Sequence, residues 1–191
     1  ANMEPAVINA LNRLSKRFVL FDHLTPLPIA NCYQTPETLG HDRIAAAVGA
    51  AHLCPAQNLL IVDAGSAVTY DFVSVERGYL GGNIAPGIKM RLTALNQMTK
   101  RLPKVEVEPD ALTPLFGKNT QEAIAAGVVR GLVFEVKGYM RSLKEQKIAF
   151  QTYITGGHAP YILNAMKQKD VLGEPHLVLI GLNKILEYNK N

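Results

Sequence analysis

Leu59-Leu60-Ile61-Val62-Asp63-Ala64-Gly65-Ser66-Ala67-Val68-Thr69-Tyr70-Asp71 decides how this chain is read. Four consecutive apolar residues are expected of a strand buried on both faces. That strand delivers Asp63 into a turn of small residues, where Gly65 lets the backbone come close to a ligand. Ser66 offers a hydroxyl, and Asp63 and Asp71 offer hard oxygens for a cation. The same pattern also fits a tight hairpin with polar turn residues.

Working outward, Val68–Val75 alternates in the manner of a half-buried strand, Arg77-Gly78 turns the chain, and Tyr79-Leu80 begins a third strand. Gly81-Gly82-Asn83-Ile84-Ala85-Pro86-Gly87 follows. It reads as a close-approach loop or a plain strand–helix turn, opening a helix that runs to about Lys100. Leu102–Thr113 reads as an extended, partly exposed connection. The longest predicted helix spans about Thr120–Lys144, with Ile124, Gly127, Val128, Gly131, Leu132, Val136, Tyr139 and Leu143 on one stripe. Asn119 and Glu122 have the spacing of a capping box. The Gly127/Gly131 pair predicts close helix packing. Ile148–Ile154 reads as a strand ending in Thr155-Gly156-Gly157. A helix follows from about Pro160, then a buried strand at Leu177–Ile180 and a last helix at Leu182–Tyr188.

Before the opening stretch, residues 1–17 predict an amphipathic helix with Val7, Ile8, Leu11 and Leu14 on one face, and Phe18–Phe21 a short strand. A helix begins near Gly40, after the turn set by Pro36 and Gly40. Asp42 falls in its first turn. There it either stabilises the helix dipole or accepts a proton from a substrate hydroxyl. Arg43 beside it either holds an anionic group or is a surface charge. The mixture of strands and helices is α/β.

The bulk numbers narrow the function. The 191 residues carry 20 Lys and Arg against 16 Asp and Glu, with no long run of like charge, which suits a small anionic substrate and does not argue for nucleic acid. Cys32 and Cys54 form no Cys-x-x-Cys pair and read as reduced thiols of a cytoplasmic protein. No apolar run approaches the roughly 20 residues that span a membrane, and no signal peptide is visible. The five histidines lack metal-ligand spacing, and none reads as catalytic.

Taken in order, Tyr33-Gln-Thr-Pro36-Glu-Thr-Leu39-Gly40-His41-Asp42-Arg43, the Asp63–Asp71 stretch, Gly81–Gly87, Asn119-Thr120 with Ala126-Gly127, and Thr155-Gly156-Gly157 resemble the type III pantothenate kinases. The resemblance runs from about Phe18 to Leu186. It implies the actin-like, ribonuclease H-like ATPase fold: two related α/β domains, the first one incomplete. Residues 1–53 would be the remainder of the N-terminal domain and residues 54–191 the C-terminal one. It implies ATP-dependent phosphorylation of pantothenate to 4′-phosphopantothenate, the first step of coenzyme A synthesis.

Residue by residue, Asp42 would be the proton acceptor, and Tyr33, Gly40, His41, Asp42 and Arg43 would hold pantothenate. Thr120 would contact pantothenate across a homodimer interface. Ser66, Gly82 and Gly157 would meet ATP, and Asp63 would bind potassium or ammonium, with magnesium as a further cofactor. Ser66 stands where the family usually has threonine, and it keeps the hydroxyl. The family's opening Asp-x-Gly-Asn phosphate loop, which also serves magnesium, does not occur before Asp42. On that ground the chain as it stands is expected to turn ATP over weakly or not at all. A non-catalytic accessory protein of transcription on the same fold is the alternative reading, with a kinase for another hydroxyl substrate a third.

Overall fold

A computed structural model describes residues 5–14, 18–108, 113–166 and 170–190. At its centre is a five-stranded sheet in the order β3-β2-β1-β4-β5. Strands β1 (Asn58–Ala64), β2 (Ala67–Ser74) and β3 (Gly78–Pro86) form an antiparallel meander, while β4 (Phe150–Thr155) and β5 (Val171–Gly173) run parallel to β1. Gly65-Ser66 is the whole connection between β1 and β2, so the opening stretch is a hairpin at the end of the central strand.

The unbroken apolar run of β1 follows from its place. Leu60, Val62 and Ala64 point into one core with Val128, Leu132 and Val136 of α4 (Thr120–Glu145), beside α3 (Ile88–Gln97) and α5 (Ala159–Met166). Leu59 and Ile61 point into the other, with Ile44, Ala47 and Ala50 of α2 (His41–Leu53) and Leu177 of α6 (Leu177–Tyr188). Helices on both faces leave β1 no solvent side, so alternation disappears. On the second face α2 and α6 cross at glycines: a Cβ on Gly49 would overlap the Leu177 carbonyl oxygen, and one on Gly181 that of Ala45.

The predicted long helix, α4, forms with its cap. Asn119 Oδ1 accepts from the Glu122 N–H at 2.9 Å, and Glu122 Oε2 accepts from the Lys118 N–H at 2.9 Å. Four expectations are corrected. Phe18–Phe21 is not a strand. Gly81–Pro86 is no loop but the continuation of β3, with a bulge where Phe72 pairs Gly81 and Val73 pairs Tyr79. Leu177–Ile180 is not a strand but the first turn of α6, and the last strand is Val171–Gly173, one of whose three residues is a glycine. Among the described residues Gly127 packs against nothing, with no neighbouring atom within 4 Å of a Cβ there, and Gly131 meets only the Arg91 guanidinium. Helix α1 (Pro5–Leu14) does form, but Val7 and Leu14 of its apolar face stay exposed. Residues 1–4 and 15–17 of that expectation lie outside the described residues.

Candidate active site

Strands β1 and β4 are parallel neighbours, and Asp63 pairs with Thr155 where both end. In open α/β sheets the crevice outside such carboxyl ends is where ligands bind. Three turns meet there. Gly87 donates its N–H to the Ser66 carbonyl at 3.1 Å. His158 donates its N–H to the Ala64 carbonyl at 2.8 Å and, from ring Nδ1, bonds the Gly65 carbonyl at 3.0 Å. A carbonyl only accepts, so Nδ1 carries the hydrogen. Gly156 has φ +89°, and a Cβ there would stand 2.7 Å from Ala64 C and would overlap Asp63 Oδ1, so only glycine fits.

Asp63 is half-buried, and among the described residues no cationic side chain pairs with it. Burial raises its carboxyl above the ordinary range, and the charges of Asp42 and Asp71 raise it further. A carboxylate in that position is short of one positive charge, which fits a bound cation. Among the described residues no group of three His, Cys, Asp or Glu could hold a metal. Mg²⁺ commonly relies on substrate phosphates and water rather than on such a cluster.

Asp42 sits in the first turn of α2, exposed, with Oδ1 accepting from the Arg43 N–H at 2.9 Å. Gly40 is the N-cap of that helix, and the His41 ring packs on Phe21 at 5.0 Å. Arg43 points inward. Its guanidinium donates from Nε and Nη2 to Asp71 Oδ1 at 3.0 and 2.6 Å, and lies 5.8 Å from the centre of the Tyr33 ring. Tyr79 donates its hydroxyl to the same oxygen at 2.7 Å, and Thr69 donates to Oδ2 at 2.8 Å. Asp71, read first as a cation ligand, is therefore engaged by side chains. Gly82 is opposite Asp71 in β3, where a Cβ would overlap the Tyr70 carbonyl oxygen.

The structure thus brings Asp42 and Asp63 within each other's field, with Ser66 and Gly157 on the turns beside Asp63. Thr120 stands apart. It is exposed at the first position of α4 and lines a groove with Arg91, Leu95 and Gly127. Among the described residues nothing lies within 4 Å of a Cβ on Gly157, which opens onto a cavity of about 780 Å³ between α3 and α5. A larger cavity of about 920 Å³ lies at the far end of β1, among Gln57, Leu59 and Lys184, away from these residues. Sequence reading missed His158, Tyr79 and the ion pair of Arg91 with Glu135. The one available signal was His158's position directly after the glycine pair.

The family model described as type III pantothenate kinase matches residues 1–142. The chain belongs to the type III pantothenate kinase family. It is 42% identical to the type III pantothenate kinase of Phocaeicola vulgatus over 179 residues, covering 94% of this chain and 73% of that one. It is 45% identical to that of Porphyromonas gingivalis (strain ATCC 33277) over 168 residues, 86% of this chain and 67% of the relative. Among solved structures it is similar to a protein from Campylobacter jejuni described as a Baf family transcriptional activator. The TM-score is 0.66 at 26% identity, covering 99% of this chain and 81% of that one. Membership of the type III pantothenate kinase family makes the chain a kinase of the actin-like ATPase fold. Among the described residues no helix is long and apolar enough to cross a membrane.

Proposed function

We propose that this chain transfers the terminal phosphoryl group of ATP to the hydroxyl of pantothenate, the entry step of coenzyme A synthesis. The observation that carries the reading is Asp63 at the end of β1, where the Gly65-Ser66 and Gly156-Gly157 turns meet, within the field of the Asp42 carboxylate at the start of α2. Phosphoryl transfer needs a placed nucleophile and positive charge against the phosphates. Asp42, exposed on a fixed helix start, takes the proton from the pantothenate hydroxyl. Tyr33, Gly40 and His41 bound the pantothenate side. Arg43 contributes by holding that helix start against Asp71.

Ser66 and Gly157 meet ATP, whose nucleoside enters the cavity beside Gly157, while Gly82, a further ATP contact in this reading, lets β3 lie close to β2 opposite Asp71. Asp63 holds potassium or ammonium, and magnesium is held largely by the phosphates. These cations supply the charge that offsets the phosphoryl oxygens. The first actin-like domain contributes residues 1–53 and the second residues 54–191, with α2 of the first seated on β1 and α6 of the second. Thr120 acts on the pantothenate of a second copy in a homodimer. Its separate groove supports this, as do the exposed Ile84, Met90 and Phe134.

The test is pantothenate-dependent ADP release by the product of the native reading frame. Asp42→Asn should lower turnover by about 10²–10⁴-fold. Full activity in that variant, or no pantothenate-dependent signal, would overturn the assignment. The Campylobacter relative's description as a transcriptional activator favours a second reading, a regulator on this fold. Calorimetry with pantothenate separates the two, because a regulator without kinase function has no need to bind it.

A further inference from the structure

Residues Leu102–Glu108 run without joining the sheet, and Lys104–Glu108 line the cavity beside Gly157. Val105 and Val107 are half-buried, while Lys104, Glu106 and Glu108 are exposed, so the segment has an apolar edge and a solvated one. Its first residue is tied to α3, where Asn96 Nδ2 donates to the Leu102 carbonyl at 2.9 Å. Farther along, among the described residues, a single side chain of the facing helix holds it: Tyr161 of α5 donates its hydroxyl to the Val107 carbonyl at 2.7 Å. The Tyr161 ring meets the His158 ring edge-on at 5.7 Å, and His158 in turn bonds the Gly65 carbonyl. One chain of contacts therefore runs from the turn beside Ser66, through two rings, to the far wall of the cavity.

We infer that Tyr161 is a positioning residue for the nucleotide. Its hydroxyl pins Val105–Val107 as the wall opposite Gly157 and so sets the affinity for the nucleoside part of ATP, while touching neither phosphate nor pantothenate. The inference rests on the reading that ATP lies along Gly157.

Calorimetry with ADP, pyrophosphate and pantothenate tests both and tells them apart. Tyr161→Phe removes one hydroxyl and keeps the ring on His158. A lost hydrogen bond of ordinary strength predicts ADP binding weaker by about 3–10-fold, with pyrophosphate and pantothenate unchanged. Gly157→Leu fills open space and should weaken ADP alone if the nucleoside lies there. If Gly157→Leu weakens ADP and Tyr161→Phe does not, the role of Tyr161 is overturned and the nucleotide reading stands. If neither variant moves ADP, or the unsubstituted chain binds none, both are overturned. Equal weakening of all three ligands in Tyr161→Phe would mean a general structural role and would also overturn the inference. Hydrogen exchange gives a second readout: ADP should protect residues 104–108 in the unsubstituted chain and protect them less in Tyr161→Phe.

Discussion

Arg43 and Asp71 form a buried ion pair at 2.6 Å, with side chains 6% and 1% exposed, and it joins the first turn of α2 to the middle strand of the meander. Both charges have left water, and what compensates them is close at hand: Tyr79 and Thr69 complete the carboxylate, and the Tyr33 ring lies beside the guanidinium. Removing one member strands the other. Asp71→Ala should cost about 3–5 kcal/mol of folding stability, read from urea unfolding. Arg43→Lys should not restore the fork, because an ammonium lacks its planar geometry. A loss below 1 kcal/mol would show that the pair is not what holds α2 in place.

The α2–α6 crossing gives a prediction of opposite sign for two chemically identical substitutions. Gly181→Ala sets a methyl against the Ala45 carbonyl, a backbone atom that cannot swing away, and should destabilise by about 1–3 kcal/mol. Gly138→Ala lies in the interior of α4 with nothing within 4 Å, and should stabilise by roughly 0.5–1 kcal/mol through helix propensity. Thermal melts of the two proteins should therefore move in opposite directions. Equal shifts would refute the close crossing.

Asp63 makes stability depend on pH in an unusual direction. Burial, with Asp42 and Asp71 nearby, raises its carboxyl in the fold, so the folded state favours the protonated acid. Its contribution is present below the unfolded value and is lost as pH rises through the raised one. Without added cation, Asp63→Asn should melt higher than the parent at pH 7, and the gap should close as pH falls through the carboxylate range. Added potassium should raise the parent's melting temperature more than that of the variant. An Asp63→Asn protein that melts lower at pH 7 would contradict the uncompensated charge.

Glu135 behaves in the ordinary sense. The Arg91 hydrogen bonds at 2.6 and 2.7 Å lower its carboxyl, and the Tyr70 hydroxyl at 2.7 Å lowers it further. That stability is present above the unfolded value and is lost as pH falls through the lowered one. Glu135→Gln should lower stability at neutral pH and so flatten the acid limb, while the stability below the lowered value changes little. Arg91 also donates from Nε to the Pro86 carbonyl at 2.7 Å, so the same variant tests what steadies the end of β3. An unchanged acid limb would remove Glu135 from acid unfolding.

Legibility tracked how local the determinant was. α4 could be read because 26 residues repeat a helical stripe behind an Asn119–Glu122 cap, both set by neighbours in sequence. β1 could be read because four apolar residues in a row have few alternatives. Leu177–Ile180 looked the same and is helical, since a run of four apolar residues does not separate strand from helix. What decides it is burial at Leu177, Gly181 and Ile185, one helical turn apart, against α2. Gly81–Pro86 looked like a loop because glycine and proline are poor strand residues. It is a strand because it pairs with β2.

At the site, the residue types could be read and their division of labour could not. Asp42, Asp63 and the glycine turns stand out in the one-dimensional pattern because acid, glycine and hydroxyl recur at strand ends. The motifs in order placed the chain in its family. Only the folded chain showed that Asp71 is engaged by Arg43, Tyr79 and Thr69 while Asp63, among the described residues, is left without a cationic partner. The two aspartates look alike in sequence. They differ because desolvation and hydrogen bonding depend on what residues 28 positions away or more, at Arg43 and at Gly156, bring against them.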